Sequence, residues 1–272
     1  MTTDATVAPA GSFETSSALA GADYPPPLLQ PDREGAAERF ATRIGATHPV
    51  RVFLTAAIGG FLLLASLWIA FGLLFVEVVL SLGGLEAWDQ GLSEDLAEGR
   101  TATSEDASWV GSTLSGGHVI PFVIGAFLLV FAVKRKWLLA VYPLFLILVE
   151  SGTYRATTLA VERQRPEVER LEQLPVDASF PSGHTAASLA LYGGLLLLLA
   201  SWVQRTWFTV LAVITTMGIV AFVGWSRMFR GMHHFTDTVA ALGVGLGAIV
   251  VVVFAARAAT AARRNREQTE LA

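Results

Sequence analysis

The sequence predicts an all-α, polytopic membrane protein, a bundle of six transmembrane helices preceded by a disordered N-terminal segment. Three observations predict it. The composition is 53% hydrophobic and 15% charged with a mean hydropathy of +0.54, too apolar for a soluble domain of this size. From residue 52 onward the apolar runs recur at lengths that cross a hydrocarbon core, which takes roughly 20 residues per helix. Lipid offers no partner to a loose amide, so segments of that length and composition must be helical.

Residues 1–50 run through Ala, Ser, Thr and Pro to Tyr24-Pro25-Pro26-Pro27 and hold few large apolar side chains, so disorder is expected there. They lack the basic start followed at once by an apolar core that marks a signal peptide. Within them, Glu34 to Ile44 has the pattern of an amphipathic helix lying on the membrane surface. The spans are expected at about 52–80, 117–133, 137–160, 184–202, 206–224 and 236–257, inside a six-helix transmembrane domain of 51–258 with a basic tail of 259–272.

Cytoplasmic flanks collect Lys and Arg, which orients the bundle. With alternating spans, Arg33, Arg39, Arg43, Arg51, Lys134, Arg135, Lys136, Arg205, Arg257, Arg263, Arg264 and Arg266 share one side. The other side holds only Arg100, Arg163, Arg165, Arg170, Arg227 and Arg230, while Arg155 lies within the third span. The richer side is expected to be the cytoplasm, with both termini there. Five of the six outer basic residues fall in two short loops, 162–183 and 225–235. Charge scatter accounts for such a cluster, and so does a bound anion. The net charge of -4 and pI near 5.7, with no basic stripe, argue against a nucleic-acid partner. The absence of cysteine excludes disulfides, thiolate metal sites and thiol nucleophiles.

Three polar motifs emerge on that outer face. Arg163-Gln164-Arg165-Pro166 follows the third span and is unremarkable alone. Pro181-Ser182-Gly183-His184 opens the fourth. Pro and Ser there suit an ordinary helix start, but a small Gly at that end also exposes amide groups to an anion, and an imidazole beside it is placed to hand a proton to a leaving oxygen. Ser226-Arg227, followed by His233 and Asp237, closes the set. His233 and Asp237 are one helical turn apart, where a carboxylate can orient an imidazole and stabilise its positive charge. Such pairs are also common as plain surface contacts.

On these residues the chain resembles the type-2 phosphatidic acid phosphatases, also called lipid phosphate phosphatases. Their signature is Lys, six residues, Arg-Pro; then Pro-Ser-Gly-His; then Ser-Arg, five residues, His, three residues, Asp. The second and third elements are complete here. In the first, Thr158 stands where the family has lysine. A hydroxyl cannot replace an ammonium charge, so Arg163 and Arg230, with Arg155 as a third, are the candidates to supply the missing contact, and Thr158 is kept as an auxiliary residue of the site. The resemblance implies a hydrolase without cofactor or metal. Arg165 and Arg227 would clamp phosphate, helped by Ser182 and the Gly183 amide; His233, oriented by Asp237, would attack phosphorus; His184 would protonate the leaving group. It implies a lipid phosphate or diphosphate as partner, in a bacterial-type plasma membrane with the site extracytoplasmic. A vanadate-dependent haloperoxidase or a catalytically silent scaffold or transporter are the alternatives.

Other polar residues carry less. Glu150, Tyr154 and Thr158 repeat at helical spacing in the third span, either lining a headgroup pocket or bonding between helices. His233-His234 lacks the acidic cluster of a metal site. Gly243, Gly245 and Gly247 read as close-packing positions between helices.

Overall fold

The computed structural model describes residues 25–45, 48–173 and 177–271, and every regular element among them is helical. After a short 3-10 turn at Pro27–Leu29 come α1 (Ala36–Ile44), α2 (Pro49–Leu74), α3 (Leu85–Glu98), α4 (Ala102–Leu114), α5 (Val119–Val133), α6 (Trp137–Ala160), α7 (Gly183–Ser188), α8 (Gly194–Val203), α9 (Thr206–Phe229) and α10 (Phe235–Leu271). A π turn at Phe75–Val79 extends α2, and another at Leu189–Gly193 joins α7 to α8. Six helical stretches are long and apolar enough to cross a membrane, each coinciding with one of the expected spans, though the second runs from Ala102 to Val133.

Helix α10 is the central post. Its face of Ala248, Ile249, Val252 and Ala255 is buried against Phe53, Ala56 and Ala57 of α2 and Leu146 and Val149 of α6. Small residues let the backbones approach where lipid supplies no hydrophobic drive. The glycine stripe works this way: a Cβ at Gly243 would lie 2.2 Å from Trp68, at Gly245 2.7 Å from the Ala186 carbonyl, and at Gly247 2.4 Å from Leu64.

Two segments are more ordered than the sequence indicates. The amphipathic pattern at Glu34 to Ile44 forms α1, but its apolar face is buried against the protein: Ala37 and Ala41 pack on Ala258, Ala261 and Ala262 of α10. Glu38 pairs with Arg264, and Arg257 donates to the Leu28 carbonyl at 2.8 Å. Helix α10 runs on through the tail and α1 docks on it; residues 1–24 lie outside the described residues. The acidic stretch 85–116, between the first two expected spans, contains α3 and α4. Helix α4 starts in a capping box in which the Thr101 side chain accepts from the Ser104 amide at 3.3 Å and Ser104 Oγ accepts from the Thr101 amide at 2.9 Å. Its small face meets α9, with a Cβ at Gly111 falling 2.7 Å from Ser226. These two helices roof one end of the bundle.

Candidate active site

The three motifs meet at the roofed end, where α6 and α9 finish and α7 and α10 begin. Backbone bonds fasten their loops together: the Ser182 amide donates to the Asp237 carbonyl at 3.1 Å, Ser179 to Arg163 at 2.7 Å, and Leu171 to Arg230 at 3.1 Å. The turn delivering His233 passes through Gly231 at φ +68°, where a Cβ would also lie 2.8 Å from the Glu169 carbonyl. Only glycine meets both demands cheaply.

His233 is almost fully buried, and its Nδ1 lies 2.7 Å from the backbone carbonyl of Ser179. A carbonyl only accepts, so Nδ1 carries the proton and Nε2 keeps a lone pair. Asp237 does not make this contact: its Oδ2 is 3.9 Å from Nδ1, beyond a hydrogen bond. The expected direct pair is corrected because α10 begins only at Phe235, leaving His233 off the helical register that would align it. Asp237 acts through its neighbours instead. Its Oδ2 accepts from the Ser179 hydroxyl and, at 2.9 Å, from the His234 amide, while Oδ1 accepts from Arg163. Burial, reinforced by the cations Arg165 and Arg227 and only partly opposed by Asp237, holds the His233 pKa well below 6.5. The imidazole is therefore neutral at pH 7.

The arginines divide into two kinds. Arg163 donates to Asp237, to Thr236 Oγ1 at 2.7 Å and to Asp89 at 2.9 Å. Arg230 donates to Glu172 at 2.6 Å, Ser108 at 3.1 Å and the Leu171 carbonyl at 3.2 Å. Both are occupied in holding the site together, and Thr158 Oγ1 is turned to the Tyr154 and Phe180 carbonyls at 2.8 and 3.4 Å. All three are thus engaged with protein groups, the arginines with carboxylates and hydroxyls and Thr158 with backbone carbonyls.

Arg165 and Arg227 are different. Arg165 donates to the Met232 carbonyl and, at 3.1 Å, to that of Ala178, and sits close enough to His233 for its charge to be felt there. Arg227 is fully buried, and its Nη1 donates to Ser112 and, at 2.7 Å, to Glu172. Its Nε and Nη2, the two donors of one edge of the guanidinium fork, have no partner among the described residues. Glu172 sets this edge by holding the opposite nitrogen. Burial raises the Glu172 carboxyl, but Arg227, Ser112 and Arg230 outweigh it and bring its pKa down to about 2.

Gly183 and His184 border a cavity of about 340 Å³ that also reaches His233, Tyr154 and Glu150. Gly183 lies close under the Tyr154 ring, since a Cβ there would come within 3.0 Å of it, tighter than ordinary contact. Ser182 is fully buried, its hydroxyl 3.0 Å from that of Thr185. A second cavity of about 380 Å³, edged by Ser112, Glu172 and Gln173, shares His184 with the first. Among the described residues no group of three or more His, Cys, Asp or Glu is placed to hold a metal ion.

Sequence reasoning missed four residues of this arrangement. Ser179 supplies the carbonyl under His233; Asp89, with no exposed surface, ties α3 to Arg163 and to the Phe235 and Thr236 amides; Glu172 and Ser112 fix Arg227. Only the surplus of arginine in the two outer loops hinted that carboxylates must lie opposite.

A model of the PAP2 superfamily matches residues 139–260. Among solved structures, a similar one is the crystal structure of the first transmembrane PAP2-type phosphatidylglycerolphosphate phosphatase from Bacillus subtilis. It is 21% identical, superposes with a TM-score of 0.57, and the match covers 76% of this chain and 94% of that one. At that identity the likeness speaks for the fold. No curated protein matches the chain. The matched segment runs from α6 into α10 and contains all three motifs, so the likeness to the PAP2 superfamily falls on the part of the chain that builds the site.

Proposed function

We propose that the protein is a membrane phosphatase that removes the terminal phosphate of a lipid phosphate or diphosphate at the extracytoplasmic interface, through a phosphohistidine. The observation that carries the reading is the partnerless Nε and Nη2 edge of Arg227, fully buried and within electrostatic reach of both imidazoles. Buried donors are normally satisfied, and a bare guanidinium edge matches two oxygens of a phosphoryl group.

His233 is the nucleophile. Its Nε2 lone pair forms a bond to phosphorus as the bond from phosphorus to the ester or bridging oxygen breaks. His184 gives a proton to that leaving oxygen. The ring becomes cationic, and the Ser179 carbonyl at Nδ1 together with the Asp237 charge stabilises it. Water then attacks phosphorus, loses its proton to His184, and releases inorganic phosphate and neutral His233. Arg165, Arg227 and the amide of Gly183 hold the phosphoryl oxygens in both steps, and the loss of one such donor costs roughly a hundred- to a thousandfold in rate.

The test is phosphate release by detergent-purified protein from polyprenyl diphosphate, phosphatidate, phosphatidylglycerol phosphate and a prenyl-linked sugar phosphate. Release from at least one, blocked by vanadate and abolished by His233→Ala, is expected. No release from any of the four, or full turnover by His233→Ala, overturns the proposal.

A further inference from the structure

The mechanism leaves one buried ionisable group in the substrate cavity without a task. Glu150 lies in α6 with 1% of its surface exposed, and it borders the cavity that holds Gly183, His184 and His233. Its Oε2 accepts from Ser151 Oγ at 2.8 Å, while Oε1 has no hydrogen-bond partner among the described residues. A buried carboxyl oxygen left bare inside a membrane-spanning helix is costly, and here the bare atom belongs to a residue on the cavity wall.

Its depth says what would reach it. Tyr154, one helical turn nearer the phosphate end, packs its ring against Gly183. At about 1.5 Å of rise per residue, Glu150 lies roughly 6 Å further into the membrane. Ile147 follows deeper on the same helix, and Ile120, Pro121 and Ala187 add apolar wall to the cavity. The cavity thus runs from Gly183, His184 and His233 past Tyr154 to the Glu150 carboxyl and on to Ile147, with Ser115, Ser151 and Arg155 also on its wall. That order matches a phosphomonoester on a short hydroxylated link to a hydrocarbon chain. A polyprenyl chain, with no polar atom at that depth, would leave Oε1 bare.

We propose that Glu150 is a specificity-determining residue that accepts a hydrogen bond from a hydroxyl or N–H group of the leaving alcohol, close to its phosphoester oxygen. The proposal rests on the phosphatase reading above and narrows its substrates to phosphorylated lipids bearing such a donor. A site built to bond a hydroxyl discriminates strongly against the analogue lacking it, because its own polar group is left unpaired. An apolar side chain in the same place abolishes that discrimination.

The test compares kcat/KM for lysophosphatidate, which has a hydroxyl on the carbon next to its phosphorylated one, with its 2-deoxy analogue of equal chain length. Wild-type enzyme is expected to prefer the hydroxylated lipid by about tenfold or more. Glu150→Leu should bring the ratio close to one, and Glu150→Gln, which keeps an acceptor oxygen, should restore most of it. A wild-type ratio near one, or a ratio untouched by Glu150→Leu, overturns the assignment of Glu150 and leaves the phosphatase standing. Absence of phosphate release from both lipids, together with the four substrates above, overturns the phosphatase reading and this one with it. Should Glu150→Leu fail to accumulate in membranes, the wild-type ratio and that of Glu150→Gln still decide, since a wild-type ratio near one defeats the proposal alone.

Discussion

Replacing Asp237 by Asn tests whether a carboxylate that does not touch the nucleophile still drives its chemistry. The side chain keeps its shape, but the negative charge 3.9 Å from His233 Nδ1 is removed. With an effective dielectric of about 20, a unit charge at that distance stabilises an imidazolium by on the order of 4 kcal/mol. That corresponds to roughly a thousandfold in the rate of forming a cationic phosphohistidine. The ground-state hydrogen bond from Nδ1 to the Ser179 carbonyl does not involve Asp237, so substrate binding should change little and the loss should fall on kcat. The assay is phosphate release in detergent, with KM and kcat measured separately and thermal stability followed alongside, because Arg163 and the Ser179 hydroxyl also lose their partner. A variant that stays folded and keeps more than a tenth of wild-type kcat refutes the reasoning. So does a loss confined to KM.

Arg227→Lys keeps a positive charge but cannot present two donors from a planar edge. Turnover should fall by about a hundredfold or more, and activity within threefold of wild type would show that the bare edge is not the phosphate clamp. Because burial and two cations keep His233 neutral, the acid limb of a kcat/KM profile should lie below pH 6.5; a limb centred above 7 would contradict the site's electrostatics. Glu172, whose pKa falls from 4.5 to about 2 in the folded chain, contributes stability that is complete above about pH 4.5 and is lost as pH falls toward 2. Glu172→Gln should therefore lower thermal stability at pH 7 and weaken its acid dependence across that window, as read by the melting temperature in detergent; an unchanged difference between about pH 5 and about pH 2.5 would count against the Arg227 and Arg230 pairing.

The spans were legible because hydropathy dominates when the solvent is lipid: every expected span has its helix, and α6 begins and ends at the expected residues 137 and 160. The convergence of Arg165, Ser182, Gly183, His184, Arg227 and His233 followed from counting spans and asking which ends share a side. What the sequence hid is the support around them. Asp89 and Glu172 sit among acidic residues that look solvated, and only the fold shows that each meets a buried arginine. The Ser179 carbonyl was invisible for a simpler reason, since a backbone acceptor leaves no trace in side-chain identity. The packing of α1 on α10 was missed because alanines facing alanines carry a weak apolar signal, although Ala258 and Ala261 are fully buried.

The central claim is that Nε2 of His233 becomes covalently phosphorylated. Brief incubation with a lipid carrying labelled phosphate, quenched in alkali where phosphohistidine survives, should leave label on a peptide containing His233, and His233→Ala should carry none. Label on a different residue, or single-turnover kinetics that exclude any covalent intermediate, would contradict the account.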